Sequence, residues 1–150
     1  MKALLVNNCL YLNEKLYLFK KTESSKCSFC SDHYESITHF LIKCNITKHF
    51  YLECQNWLKK AHIILPMLSL ENVLLGLEGN TFQYFMLIIW KYTLYNARNS
   101  GRPYLSAFCW NVALYEKIEY SIAKSRGKIN LHLEKYEKIR LFLDSTTVIW

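Results

Sequence analysis

Eighteen residues, Cys27 to Cys44, constrain this chain more than any other stretch. They read Cys27-Ser28-Phe29-Cys30, eight further residues, His39, four more, and Cys44. The pattern is C-x2-C-x8-H-x4-C. Two cysteines three apart can turn both sulfurs toward one ion, and a later His and Cys complete a tetrahedron. Zinc favours thiolate and imidazole donors, and a closed set of three Cys and one His is structural rather than catalytic. Bound zinc contributes on the order of 10–16 kcal/mol in small peptides, enough to fix so short a segment. The expected ligands are therefore Cys27, Cys30, His39 and Cys44, with Zn2+ as the cofactor. His33 is the rival to His39, but it follows Cys30 so closely that a second ligand turn would be cramped. The competing reading is a set of unligated core cysteines, since a buried free Cys is common.

The rest of the chain can build a real core. It has 150 residues, 51% hydrophobic and 15% aromatic, far from a disordered composition. Two prolines and four glycines suit an α-rich fold. The expectation is a mainly α protein of about five to six helices with a small zinc knuckle embedded in it. Residues 1–62 would hold an N-terminal helix, the knuckle and its following helix. Residues 63–150 would form a helical body packed with the knuckle as one unit.

Periodicity places the elements. Leu4, Leu5, Cys9 and Leu12 suggest a short helix over 2–13, and residues 16–19 fit either a strand or a last helical turn. Ile37, Phe40 and Leu41 share a face, so a short helix should carry His39. Thr47 can cap the next helix, to about Ala61, with Phe50, Tyr51, Cys54, Trp57 and Leu58 as its apolar stripe. Ser69 can cap a short turn. The helix from Phe82 to about Asn99 is apolar on nearly every side and should be central. Pro103 suits the first position of the next helix, whose stripe reads Leu105, Phe108, Val112, Tyr115, Ile118 and Ile122, with Glu116 off it. Leu131–Leu143 predicts a last amphipathic helix, with Leu133, Tyr136, Ile139, Leu141 and Leu143 for burial. Cys9, Cys54 and Cys109 lie in apolar stripes and read as core. His49, His62 and His132 have no partner spacing.

Met1 to Val6 starts like a secretory signal, but Asn7-Asn8 interrupts the apolar run. The apolar stretch from Phe82 to Tyr95 is shorter than the ~20 residues of a membrane span. An intracellular place, nucleus or cytoplasm, is expected, with no membrane partner. In that reducing setting six cysteines are thiols or metal ligands, not a disulfide framework.

The formal charge of +7 favours an anionic partner. Lys20, Lys21 and Lys26 precede the knuckle, and Lys43 and Lys48 follow it, so they could ring the metal. Phe29 and Tyr34 could stack on unpaired bases, as aromatics on zinc knuckles do. The expected partner is RNA or single-stranded DNA, bound weakly and in a salt-dependent way. The bland alternative is that Phe29 packs on the knuckle's own helix and the lysines only solvate it. A second basic group, Lys124, Arg126, Lys128, Lys135, Lys138 and Arg140, is interleaved with glutamates and reads as a solvated face. Catalysis has little support. There is no phosphate-cradling glycine loop and no Gly-x-Ser-x-Gly elbow. Glu35 near His39 would need an open coordination position, which four protein ligands do not leave.

The Cys27–Cys44 motif resembles the C-terminal zinc-binding segment of LINE-type (non-LTR) retrotransposon reverse transcriptases. The matching residues are Cys27, Cys30, Glu35-Ser36, His39, Phe40-Leu41 and Cys44. The succession after them is also similar: Trp57-Leu58, Glu71 to Leu77, Trp90 to Tyr95 and a basic tail. The resemblance runs from about residue 4 to 140. It implies a non-catalytic accessory segment that grips nucleic acid behind a polymerase, with that polymerase as a protein partner. No Tyr-x-Asp-Asp-like palm motif is present, so the chain looks like a detached C-terminal piece. The alternative function is a helical protein-interaction scaffold in which zinc is purely structural.

Overall fold

The computed structural model describes residues 10–75, 81–130, 137 and 139–143. Among them the chain is mainly helical and has no strand beyond one isolated antiparallel bridge, Lys26 to Tyr34. The helices are α1 (Asn13–Leu18), α2 (Asn45–Lys59), α3 (Leu70–Leu75), α4 (Thr81–Asn96) and α5 (Leu105–Ser125). A π-helical turn, His39–Lys43, leads into α2, and a 3-10 turn, Ala97–Ser100, follows α4. No helix among these residues is long and apolar enough to cross a membrane. The helix expected over 2–13 lies mostly outside the described residues. Residues 16–19 resolve as the end of α1 and its cap.

Aromatic side chains fill the middle. Trp90 of α4 is fully buried, with Phe50 stacked on it at 6.3 Å and Tyr51 edge-on at 5.1 Å. Phe108 of α5 meets Phe50 at 6.5 Å and Trp57 at 5.9 Å, both edge-to-face. Offset and edge-on geometries suit the ring quadrupole, each adding about 0.5–1.5 kcal/mol beyond area burial. The stripe read from α2 is the stripe that is buried: Phe50, Tyr51, Cys54, Trp57 and Leu58. So α2, α4 and α5 meet in one core, with residues from both sides of position 62 in it.

Four expectations need correction. Thr47 does not cap α2, because the helix already begins at Asn45 with Cys44 in the cap position. The Thr47 hydroxyl instead donates to the Phe40 carbonyl at 2.8 Å. Pro103 does not open α5. Tyr104, extended at φ −125, ψ 139, is the residue before its first turn. On α5 the buried line is Phe108, Val112 and Glu116, whereas Ile118 and Ile122 face solvent. Residues four apart stay nearly in line, but Ile118 lies about 120° round the helix from Val112. Near the end of the chain, Ile139 and Leu143 are buried as expected and Leu141 is exposed. Leu133 and Tyr136 lie outside the described residues.

Ser69 does cap α3, its hydroxyl accepting from the Asn72 N–H at 3.2 Å. The apolar α4 also buries a lysine. Lys91, 1% exposed, donates from Nζ to the Val73 carbonyl at 2.7 Å, near the end of α3, where the carbonyls lack intrahelical partners.

Candidate metal centre

The knuckle is built by backbone hydrogen bonds before any metal is considered. The Cys27 N–H donates to the His33 carbonyl at 2.7 Å, and the Ser31 N–H to the Cys27 carbonyl at 3.0 Å. Ser31 takes φ 59, which reverses the chain just after Cys30. The Glu35 N–H then bonds to the Ser25 carbonyl at 2.9 Å. Residues 25–35 thus close as a small loop that carries both knuckle cysteines.

The other two donors are set by the junction between two helical pieces. Ser36 accepts from the His39 N–H at 3.2 Å, starting the turn. The Cys44 N–H donates to the His39 carbonyl at 2.8 Å, a five-residue step that joins the third ligand directly to the fourth. An α-helical step would place residues five apart about 140° round the axis. The π turn, with Cys44 extended at φ −62, ψ 128, brings both side chains inward. The expected helix carrying His39 is therefore a π turn, a form often found at functional sites.

Cys27, Cys30, His39 and Cys44 converge. Their donor atoms all lie within 4.8 Å of one another. The Cys27 and Cys44 sulfurs are 3.9 Å apart, and Cys30 Sγ is 3.3 Å from His39 Nε2. A tetrahedral zinc with Zn–S of about 2.3 Å would set two sulfurs about 3.8 Å apart, so the donor set fits such an ion. Cys27, His39 and Cys44 are buried and Cys30 is partly so. These four residues could bind a metal.

The electrostatics suit a cation. The Cys27 thiol hydrogen-bonds to Cys44 and lowers the Cys44 thiol below its ordinary value, and the first-turn N–H groups of Thr47 and Ile46 pull the same way. The same bond, with burial, pushes Cys27 well up. Metal binding requires deprotonated thiols, and the hydrogen bonds to Cys44 favour its thiolate form. By contrast, burial is the main cause that raises Cys54, with Cys109 and Glu53 nearby adding to it, and burial raises Cys109 to about 12. Cys54 is fully buried and Cys109 packs partly buried against the core, which suits inert core thiols. Cys9 lies outside the described residues.

His33 is exposed and stacks flat on His39, with centroids 5.0 Å apart. It covers the ligand ring and is not among the four converging donors. His49 is exposed, 3.7 Å from Glu53 on the same helix, and His62 is exposed too. His132 lies outside the described residues.

Sequence reading missed the support behind the knuckle. Glu35 is 0% exposed. One carboxylate oxygen accepts from the Ser28 N–H, inside the knuckle, at 2.5 Å. The other accepts from the Asn13 N–H at 3.0 Å and from Arg98 Nε at 2.9 Å. Arg98 also donates to the Tyr11 carbonyl and to Asn13 Oδ1, and Asn13 Nδ2 to the Lys26 carbonyl at 2.7 Å. One buried charge pair therefore ties α1, the knuckle and the turn after α4 together. Gly101, at φ 73, ends that turn against the knuckle; a Cβ there would stand 3.9 Å from the Ser28 carbonyl oxygen. The sequence singled out Glu35 only as a neighbour of His39 and as part of the motif, and gave no sign of its partner Arg98.

The residues suggested for nucleic acid are scattered around this centre. Phe29 is half-buried and stacks on Phe40 at 5.4 Å. Tyr34 is exposed with the Lys26 ammonium 5.2 Å from its ring centre. Lys43 is exposed at the end of the π turn, and Lys48 is exposed on α2, where it borders an open depression with Ile42, Tyr51, Leu52, Gln55, Met67 and Leu68. Lys20 and Lys21 are exposed beyond α1. In the second basic group Lys124, Arg126 and Lys128 are exposed, Arg140 lies 5.6 Å over Tyr120, and Lys135 and Lys138 lie outside the described residues.

No protein-family model matches this chain, and neither a curated protein nor a solved structure matches it.

Proposed function

We propose that this chain is a non-catalytic module in which one zinc ion clips a helical body and whose basic surface binds RNA or single-stranded DNA. The observation that carries it is the convergence of Cys27, Cys30, His39 and Cys44 within 4.8 Å. A closed thiolate–imidazole set suits zinc and structure rather than catalysis. The charge of +7 supports an anionic partner, with Lys20, Lys21, Lys26, Lys43 and Lys48 all exposed. Free thiols and a zinc clip suit a reducing, intracellular setting. The likeness of Cys27–Cys44 and its following helices to the C-terminal segment of LINE-type reverse transcriptases belongs to this reading. On it, the chain would act beside a polymerase. The test is binding of the zinc-loaded chain to RNA and single-stranded DNA across salt. The logarithm of the affinity should fall linearly with the logarithm of salt, and absence of binding at low salt would refute it.

A second reading is a helical scaffold that docks a protein, natively such a polymerase. It is favoured by one observation: Trp110, Leu114, Ile118 and Ile122 form a four-residue-spaced ridge on the exposed side of α5, with Trp110 69% exposed. Ridges of this spacing pack readily into those of another helix. Salt-insensitive capture of that polymerase, lost in Trp110→Ala, would favour it.

A further inference from the structure

Of the two rings that sequence reasoning offered to unpaired bases, Phe29 is stacked on Phe40 and Tyr34 faces Lys26. Other exposed rings stand at the end of α1. Tyr17 is 50% exposed and Phe19 61%. Leu18 between them is more exposed still. Lys20 and Lys21 follow directly, and both are exposed. Tyr17, Leu18, Lys20, Lys21, Thr22 and Glu23 line an open depression of ≈ 480 Å³.

The backbone holds this tip in place. The Lys20 N–H donates to the Tyr17 carbonyl at 3.0 Å and the Lys21 N–H to the Leu16 carbonyl at 2.8 Å. These are the two bonds of a left-handed helix cap, normally completed by glycine. Here Lys20 takes φ 55, a conformation that glycine adopts freely and lysine does not. The chain thus sets an ammonium where the local geometry asks for no side chain.

We propose that Tyr17, Phe19, Lys20 and Lys21 form the site where single-stranded nucleic acid is held. Bases stack on the two rings, and the lysines take flanking phosphates. Stacking is open to any base because every base has a π-face, and lysine bonds to phosphate carry no sequence information. The charge complementarity of adjacent Lys20 and Lys21 selects an anionic occupant. The depression also contains the polar Thr22 and one carboxylate, Glu23, against the two lysines, which leaves its lining net positive. This site rests on the nucleic-acid reading given above.

The test uses the full zinc-loaded chain, with fluorescence anisotropy on labelled oligouridine and oligothymidine. Tyr17→Ala with Phe19→Ala should weaken binding at least about fivefold and leave the salt slope unchanged. Lys20→Gly with Lys21→Ala should lower the slope by about 1.4, that is about 0.7 for each phosphate of a single strand that is no longer neutralised. Lys20→Gly relaxes the left-handed cap, so unfolding measurements should show the fold intact. Wild-type binding that both variants retain in full overturns this site and leaves the nucleic-acid reading standing. No binding by the wild type overturns both. Binding to phosphatidylserine vesicles that both variants lose, without oligonucleotide binding, assigns the tip to a membrane and also overturns the proposal.

Discussion

Glu35 and Arg98 are 63 positions apart in sequence, and their side chains form one buried ion pair against the metal knuckle. The Glu35 carboxylate is fully enclosed and the Arg98 side chain is 12% exposed. Removing one partner of such a pair leaves an uncompensated charge in the interior and typically costs about 3–5 kcal/mol. Arg98→Ala should lower stability by that order in urea unfolding. Glu35→Gln combined with Arg98→Met should cost clearly less than the two single changes added together. Additive losses would mean that the two groups do not act as a pair.

The same carboxylate reaches into the knuckle. It accepts from the Ser28 N–H between Cys27 and Cys30, so it helps hold the knuckle in the shape that an ion needs. Groups that orient metal ligands in this way typically change affinity about 10- to 100-fold when altered. Glu35→Gln, which keeps the shape and removes the charge, should weaken zinc binding by at least about tenfold in a chelator competition. Unchanged affinity would limit Glu35 to a role in stability.

Thiol chemistry separates the two kinds of cysteine. Cys109 is pushed up to about 12 by burial, so at pH 8 about one molecule in ten thousand carries its thiolate. Cys54 is raised further by the same cause. Because the thiolate is the nucleophile, both should resist alkylation at pH 8, and Cys109 should react faster only as pH climbs toward 12. Cys27, Cys30 and Cys44 should be protected in zinc-loaded protein and become labelled after chelation. Mass-spectrometric mapping of the adducts checks each residue separately.

The face of α5 is testable by substitution. Phe108 is completely buried, and Phe108→Ala should cost about 3–5 kcal/mol. Ile118 and Ile122 are about half exposed, so truncation to Ala should cost well under about 2 kcal/mol, less than full burial of such a side chain provides. Equal losses on the two faces would contradict the observed orientation of the helix.

Local features were legible in the sequence, and long-range ones were not. The four donors lie within 18 residues, and their spacing alone implied convergence. The α2 stripe was legible because Phe50, Tyr51, Cys54, Trp57 and Leu58 fall on one arc, with Leu52 the apolar residue on the exposed side. On α5 apolar residues occur on both arcs, so Ile118 and Ile122 extended a stripe that the packing does not use. The π turn at His39–Lys43 has no compositional signature, since it follows from tying His39 to Cys44. The Glu35–Arg98 pair was hidden because nothing local to either residue names the other. Nor does any local pattern announce that the ammonium of Lys91, within the apolar α4, reaches the Val73 carbonyl.

The central claim is that Cys27, Cys30, His39 and Cys44 hold one metal ion. The most direct measurement is a Co2+ titration of metal-free protein followed by visible absorption, with Zn2+ then added in competition. The expected result is saturation at one equivalent, with intense ligand-field bands of a tetrahedral site, thiolate charge-transfer absorption, and displacement by Zn2+. Cys27→Ser with Cys30→Ser should abolish the signal. Weak octahedral absorption, no saturation, or an unchanged spectrum in that double variant would contradict the claim.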